Sequence, residues 1–453
     1  MSPTRWQLPQ RNVALGQAAA CAAVVLASIG AAAPSTSAAP PAGTVEVLAP
    51  YTESDQATFM RVLDAFTART GIKVEYTRCC NGSLPRLETR IAAGDPPDVA
   101  VLSAPGDVTR FAHAGELVPL SSLGLTRKHM RQNFAGGELR LASVAGVLYA
   151  VPLKASSKSI IWYRPDSFRR YGFSVPRNWT QLLSVTRAFK AKGIIPWSVG
   201  GGPGPDSSWT LTDWFENIYL RTAGPTRYER LFSGRLAFTD KSVREAIKSM
   251  LQIINNRFVV GGIRGALNTN WIDAISSVFG RKAKSQLYME GGFVGQIALG
   301  QLNTSLRPGV TINSTPWPTI DGGYRNDIIG GTDLAVAINN TASSRQLLRY
   351  LASAAAGDVW AAAGTTTGSW SVSPNRLVPR SGYANKLVGN EASQVANAQR
   401  IEFDGSDELP GMLAEEWATA LQTIIGRPAA VEQTLARFQR KARRAFRSST
   451  GHA

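Results

Sequence analysis

Between Thr44 and Leu102 the apolar and polar positions alternate in a way that predicts strand, helix, strand, helix, strand. The first strand is Thr44-Val45-Glu46-Val47-Leu48. In the helix behind it Phe59, Val62, Leu63 and Phe66 recur three or four residues apart, which gives one apolar stripe to lay on a sheet. Gly71 ends that helix. The second strand is Ile72-Lys73-Val74-Glu75-Tyr76, and a second helix carries Leu84, Leu87 and Ile91 on one face. A break at Gly94-Asp95-Pro96-Pro97 precedes the apolar strand Val99-Ala100-Val101-Leu102. Parallel strands joined by helical crossovers put the following loops on one edge, where open α/β sheets hold ligands. Residues 49–54, 78–83 and 103–107 are therefore candidate binding loops, with Tyr51, Asn81 and Ser103 as candidate ligand residues.

At 453 residues the chain is long enough for two sizeable cores, and two lobes are expected. Residues 1–39 carry Arg5 and Arg11, an Ala-rich apolar run from Val13 to Ala33, and small residues ending at Ser37-Ala38-Ala39. This reads as a secretory signal. The run also has the length of a single membrane anchor, against which Gly16, Gln17, Ser28 and Gly30 argue. Cys21 follows Ala18-Ala19-Ala20, and the apolar run continues past it, so it reads as a residue of the signal rather than a lipidation site. The expected location is extracellular or cell-envelope associated, peripheral to the membrane, and periplasmic if the host has an outer membrane.

The formal charge of +17 falls to +15 without Arg5 and Arg11, the leader's only charges. Six positives sit in one tail: Arg437, Arg440, Lys441, Arg443, Arg444 and Arg447. Leu435, Phe438, Ala442 and Phe446 keep helical spacing through it, which predicts a terminal helix docked by one face with its basic face in water. The functional alternative is attraction to anionic envelope polymers or lipid headgroups. Nucleic acid is not an expected partner, because the chain carries no nucleic-acid-binding signature. The three histidines, His113, His129 and His452, lack metal-ligand spacing, so no metal or other cofactor is expected. Neither a G-x-S-x-G elbow nor a phosphate loop is present, and Gly200-Gly201-Gly202-Pro203-Gly204 reads as a flexible turn. A glycosidase needs two carboxylates facing across a sugar, which Asp213, Glu290 and Asp333 could supply, but carboxylates that only bind hydroxyls look the same in sequence.

Of 11 Trp, five stand beside Gly, Pro or polar residues: Trp197, Trp209, Trp271, Trp317 and Trp370. Any one of them suits a core, yet sugars present flat C–H faces to aromatic rings while their hydroxyls seek polar partners. The stretch Ala92-Ala93-Gly94-Asp95-Pro96-Pro97-Asp98-Val99 resembles a signature of the extracellular solute-binding proteins of ABC sugar importers. Tyr149-Ala150-Val151-Pro152-Leu153-Lys154-Ala155-Ser156, Thr212-Asp213-Trp214, Leu220-Arg221-Thr222-Ala223-Gly224-Pro225 and Phe403-Asp404-Gly405-Ser406-Asp407 resemble the subgroup associated with α-glucosides.

The resemblance implies an α/β periplasmic-binding-protein-like fold of type II, with two lobes joined by hinge strands and a ligand cleft between them. The expected partition is a signal over 1–39, an amino-terminal lobe over 40–154 and 334–366, a carboxy-terminal lobe over 155–333 and 367–434, and a basic tail over 435–453. Chain crossings are expected near 153–159, 330–334 and 366–374. It implies a monomer that captures a carbohydrate, an α-glucoside or oligosaccharide, and delivers it to a membrane permease without catalysis. By the same resemblance Phe293 would stack on the sugar, with Glu290 binding a hydroxyl or capping its turn. Trp209 and Asp213, four apart, would share a helical face. Lys154 and Asp333 fall at crossings, as ligand residues or as a structural ion pair, and Trp370 stands in a turn where relatives carry a smaller residue.

Cys79-Cys80 departs from the family pattern. A vicinal disulfide there would be a strained, rigid plate at the cleft, and the alternative is two reduced cysteines in a packed turn. Two functional alternatives remain open: a secreted carbohydrate-active enzyme, and a sensor-type binding protein that presents its sugar to a membrane receptor.

Overall fold

A computed structural model describes residues 43–78, 84–204, 206–320, 323–324 and 326–450. The expected signal, with Cys21, and the segment holding Cys79, Cys80 and Asn81 lie outside the described residues. Eleven strands are described: β1 (Thr44–Ala49), β2 (Lys73–Arg78), β3 (Val99–Leu102), β4 (Ser143–Val144), β5 (Val147–Leu148), β6 (Ala150–Ser157), β7 (Ile160–Tyr163), β8 (Leu287–Met289), β9 (Asn313–Pro316), β10 (Asp327–Ala337) and β11 (Arg400–Glu402).

β1 pairs in parallel with β2 on one side and with β3 on the other, as the strand and helix pattern predicts. The helix Glu53–Thr70 buries Phe59, Val62, Leu63 and Phe66, the stripe read from spacing. It stops at Gly71, whose φ of 73° is the left-handed conformation that glycine adopts without a Cβ penalty. Beyond β3 the sheet changes direction. β10 runs antiparallel to β3 and β6 but parallel to β11, giving the order β11-β10-β3-β1-β2 with β6 also on β10.

A register shift between Asp333 and Leu334 interrupts the β10–β6 ladder, and such a bulge re-aims the side chains beside it. Ala155 of β6 also exchanges backbone hydrogen bonds of 2.8 and 3.3 Å with Val372. A second sheet, β8-β7-β9, is antiparallel throughout. One apolar core lies around β1, β3, β6 and β10. Another is built on Trp179, Trp197, Trp214, Trp317 and Trp417, and a third on Ile160, Trp162, Phe279 and Tyr288. The helix Val431–Thr450 docks on the second core through Leu435, Phe438 and Ala442, leaving Arg437, Arg440, Arg443 and Arg444 exposed. Among the described residues no helix is long and apolar enough to cross a membrane.

Glu138, in the helix Gly136–Leu141, is completely buried. Burial pushes its carboxyl up to about 8, opposed by the Thr332 hydroxyl. Between 4.5 and about 8 the folded protein therefore holds a proton that the unfolded chain releases, so stability falls as pH rises through that window. Thermal melts should give a lower Tm at pH 8 than at pH 5, and Glu138→Gln should narrow the gap. An unchanged gap would show that Glu138 does not set it.

Candidate functional site

Side chains alternate along β6, so Lys154 and Ser156 emerge on one side while Leu153, Ala155 and Ser157 are buried on the other, and Lys158 follows directly on the strand's last residue. Each lysine is the centre of a carboxylate cluster. The Lys154 ammonium lies 2.9 Å from Asp55 and 3.2 Å from Asp333, which faces it across the ladder at the bulge. Asp55, in the first turn of the helix Glu53–Thr70, also accepts hydrogen bonds from the hydroxyls of Ser369 at 2.6 Å and Ser371 at 2.9 Å. Burial alone would raise its carboxyl, but Lys154 and the two hydroxyls hold it below the usual value. Burial likewise opposes the charge on Lys154, and the charges of Asp333 and Asp55 outweigh it.

Lys158 donates to Asp404 and lies 3.3 Å from Asp213. Asp404 in turn accepts from the Ser406 backbone at 3.1 Å and its hydroxyl at 2.8 Å. Glu216 is held by the amides of Gly405 at 2.9 Å and Ser406 at 3.0 Å, and by the Tyr228 hydroxyl. Asp213 is fully buried, and burial, reinforced by Asp404 and opposed by Lys158, pushes it up to about 8. Burial, then the charge of Asp213, pushes Glu290 well above the carboxylate range. Burial would raise Asp404, but Lys158, with the Ser406 hydroxyl, moves it down. We therefore place the negative charge opposite Lys158 on Asp404, and a proton on the Asp213 and Glu290 pair at neutral pH. Asp213, Glu216 and Asp404 are close enough together to hold a metal ion, but the Lys158 ammonium already contacts two of them and supplies the positive charge such an ion would bring.

Four partly exposed aromatics adjoin these clusters. Trp209 opens the helix Trp209–Ala223, with the Lys158 ammonium 5.2 Å from its ring. Its ring lies 5.8 Å from Trp271 and 6.0 Å from Phe293, and those two are 5.6 Å apart, edge to face. Trp370 and Trp162 both close on Gly295, where a Cβ would come within 2.4 Å of one and 2.7 Å of the other. Trp370 is flanked by the same Ser369 and Ser371 that hold Asp55, so the lysine clusters and the rings form one continuous constellation.

Several expected ligand residues take supporting positions instead. Tyr51 is only 3 % exposed, packed 5.1 Å from Phe59 and 5.8 Å from Trp360 beneath the Lys154 ammonium. Asp213 shares a helix with Trp209, but its side chain turns inward to Lys158. Glu290 is buried and accepts from the Gly291 amide at 3.2 Å, the turn-capping alternative. Lys154 and Asp333 form the structural ion pair. Ser103 is exposed at the end of β3 and enters none of these contacts. Trp197 and Trp317 belong to the core, being 0 and 1 % exposed. Sequence reasoning did not single out Lys158, Asp55, Asp404, Ser369 or Ser371. The period-2 step from Lys154 was the available signal for Lys158.

The chain matches the model of the bacterial extracellular solute-binding protein family over residues 49–358, and it belongs to that family. It is 31 % identical over 368 residues to the osmoprotective compounds-binding protein GgtB of Synechocystis sp., covering 81 % of this chain and 85 % of that one. It is 27 % identical over 398 residues to the alpha-glucosides-binding periplasmic protein AglE of Rhizobium meliloti, covering 84 % and 83 %. Among solved structures, the bacterial solute receptor AcbH superposes with a TM-score of 0.75 at 18 % identity, over 90 % of this chain and 99 % of that one. RafE from Streptococcus pneumoniae gives 0.70 at 17 %, over 89 % and 99 %. The fold is thus the two-lobed α/β fold of solute-binding proteins.

Removing one partner of a buried ion cluster leaves an uncompensated charge, at a cost of about 3–5 kcal/mol. Lys158→Met should lower the unfolding free energy in urea by an amount of that order, and adding Asp404→Asn should restore part of it. Equal stability of Lys158→Met and the parent would show that the cluster does not depend on its ammonium.

Proposed function

We propose that this protein is the carbohydrate-binding receptor of an ABC importer, taking an α-glucoside or short oligosaccharide and presenting it to a membrane permease. The observation that carries the reading is the open aromatic group of Trp209, Trp271, Phe293 and Trp370 set against hydrogen-bonded carboxylates and hydroxyls. Ring faces suit the C–H faces of a pyranose, and the polar neighbours suit its hydroxyls. The relative named for α-glucosides supports the substrate class. Asp213 and Glu290 are buried beside one another rather than facing across an open gap, which favours binding over hydrolysis.

In this reading residues 40–154 with 334–366 form one lobe and 155–333 with 367–434 the other, with β6, β10 and the segment around Val372 as the links. A sugar touching both lobes stabilises the closed state by contacts available only there, and no covalent step is needed. The receptor acts as an exported monomer, peripheral to the membrane.

A thermal melt against α- and β-linked glucosides, galactosides and oligosaccharides tests the class. A ligand at about a hundred times its dissociation constant adds about 2.7 kcal/mol. One sugar class should raise Tm with no product formed, whereas a flat panel would end the carbohydrate reading. For that sugar, calorimetric titration should show Trp209→Ala weakening binding by at least about tenfold, about 1.4 kcal/mol, at a temperature where the variant is still fully folded.

A further inference from the structure

Away from the aromatic site, a cavity of about 390 Å³ lies between β9 with its following loop, the residues before the helix Trp179–Ala191, the start of β10, and the helix Lys386–Ala396. That volume falls within the usual range for small-molecule sites, about 300–1,000 Å³. None of the residues of the aromatic site lines it.

Its charged groups are all of one sign. Arg177 and Arg380 line it, and no carboxylate does among the described residues. Arg380 is fixed in place, with Nη2 donating to Asn390 Oδ1 at 2.5 Å and Nε to the Gly389 carbonyl at 3.2 Å. Asn390 is anchored in turn on Asn313 and Ser314. Gln394 is anchored on the Ser159 carbonyl at 2.9 Å. By contrast, the Arg177 guanidinium enters no hydrogen bond or ion pair among the described residues, whereas Trp317, in the same wall, is buried in the core. The free polar capacity of the cavity is therefore mainly donor, while Asn326, Asn390, Gln394 and Asn397 line the remainder with amides. A guanidinium fork matches carboxylate or phosphate oxygens in pairs, and side-chain amides match hydroxyls.

We propose that this cavity is a second binding site, selective for a small hydroxylated anion, a carboxylate or phosphate borne on a polyol. Arg177 is its main anion contact, Arg380 its fixed second charge, and the amides read the hydroxyls.

The test is calorimetric titration of residues 40–453 with inorganic phosphate, gluconate and glucose 6-phosphate. Ionic strength is held constant because a basic protein attracts anions non-specifically. Saturable one-to-one binding of at least one probe is expected, and phosphate against gluconate tells which acid group is read. Arg177 is exposed, so its replacement leaves the fold intact. Arg177→Ala should weaken binding at least about tenfold and Arg177→Lys by less, while Trp209→Ala should leave it unchanged. The proposal is overturned if no probe saturates, if Arg177→Ala binds like the parent, or if Trp209→Ala abolishes binding. This outcome is independent of whether the aromatic site takes a sugar.

Discussion

Two ammonium groups four residues apart, one on β6 and one just past its end, have to be neutralised away from bulk water, and the rest of the site is arranged around that requirement. Strand rise puts Lys154 and Lys158 about 13 Å apart along the backbone. Partly withdrawing each from water carries an effective penalty of several kcal/mol, which only close carboxylates can offset. Those carboxylates come from remote parts of the chain: Asp55 lies 99 positions before Lys154, and Asp404 lies 246 positions after Lys158. Forming both clusters therefore brings together the first turn of the helix Glu53–Thr70, strand β10, the helix Trp209–Ala223 and the segment after β11. Buried ion clusters are weak sources of net stability. Their effect here is on geometry, since Lys158 is tied to two carboxylates and Trp209 lies against its ammonium.

The tryptophans divide along the same line. Trp179, Trp197, Trp214, Trp317 and Trp417 pack into one core, where Trp197 Nε1 donates to Thr186 and Trp179 Nε1 to Gln252. Trp209, Trp271 and Trp370 stay partly exposed. Trp209 and Trp271 start helices, and Trp370 follows the end of the helix Ala354–Thr367. Gly295 admits Trp370 and Trp162 at a distance that any side chain would block. A smaller residue at 370 would leave that approach unused, so Gly295 and Trp370 depend on each other.

Local periodicity made the β1-to-β3 unit legible, because each helix stripe and strand was written within about twenty residues of sequence. The direction of β10 was not, since it rests on pairing with strands more than a hundred positions away and on a one-residue shift at Asp333. The same limit governs the site. Trp209 and Phe293 could be named as candidates, and they lie together with Trp271. Trp197 and Trp317 have Pro neighbours and look like loop residues, but Trp197 bridges to Val259 and Leu287 and both side chains are covered. Asp213 and Tyr51 were read as groups that touch a ligand, and Glu290 as one that does so or caps its turn, because residue type says nothing of depth. In the fold they support the groups that are open to solvent.

That difference in depth bears on what the aromatic site can accept. Lys154 and Lys158 are each opposed by at least two carboxylates, so neither offers unpaired positive charge to an anion. In the proposed binding site, a ligand would meet ring faces, the exposed Ser156 between the two lysines, and polar atoms already committed to internal partners. Such a surface discriminates by shape and stacking with a modest number of hydrogen bonds, which suits a neutral polyol and disfavours an acid. The cavity bounded by Arg177 and Arg380 has the opposite chemistry: fixed positive charge, amides, and no open ring face. On the two proposals, the surfaces would differ in preference through a single feature, whether the basic side chains are neutralised inside the protein or left for the ligand.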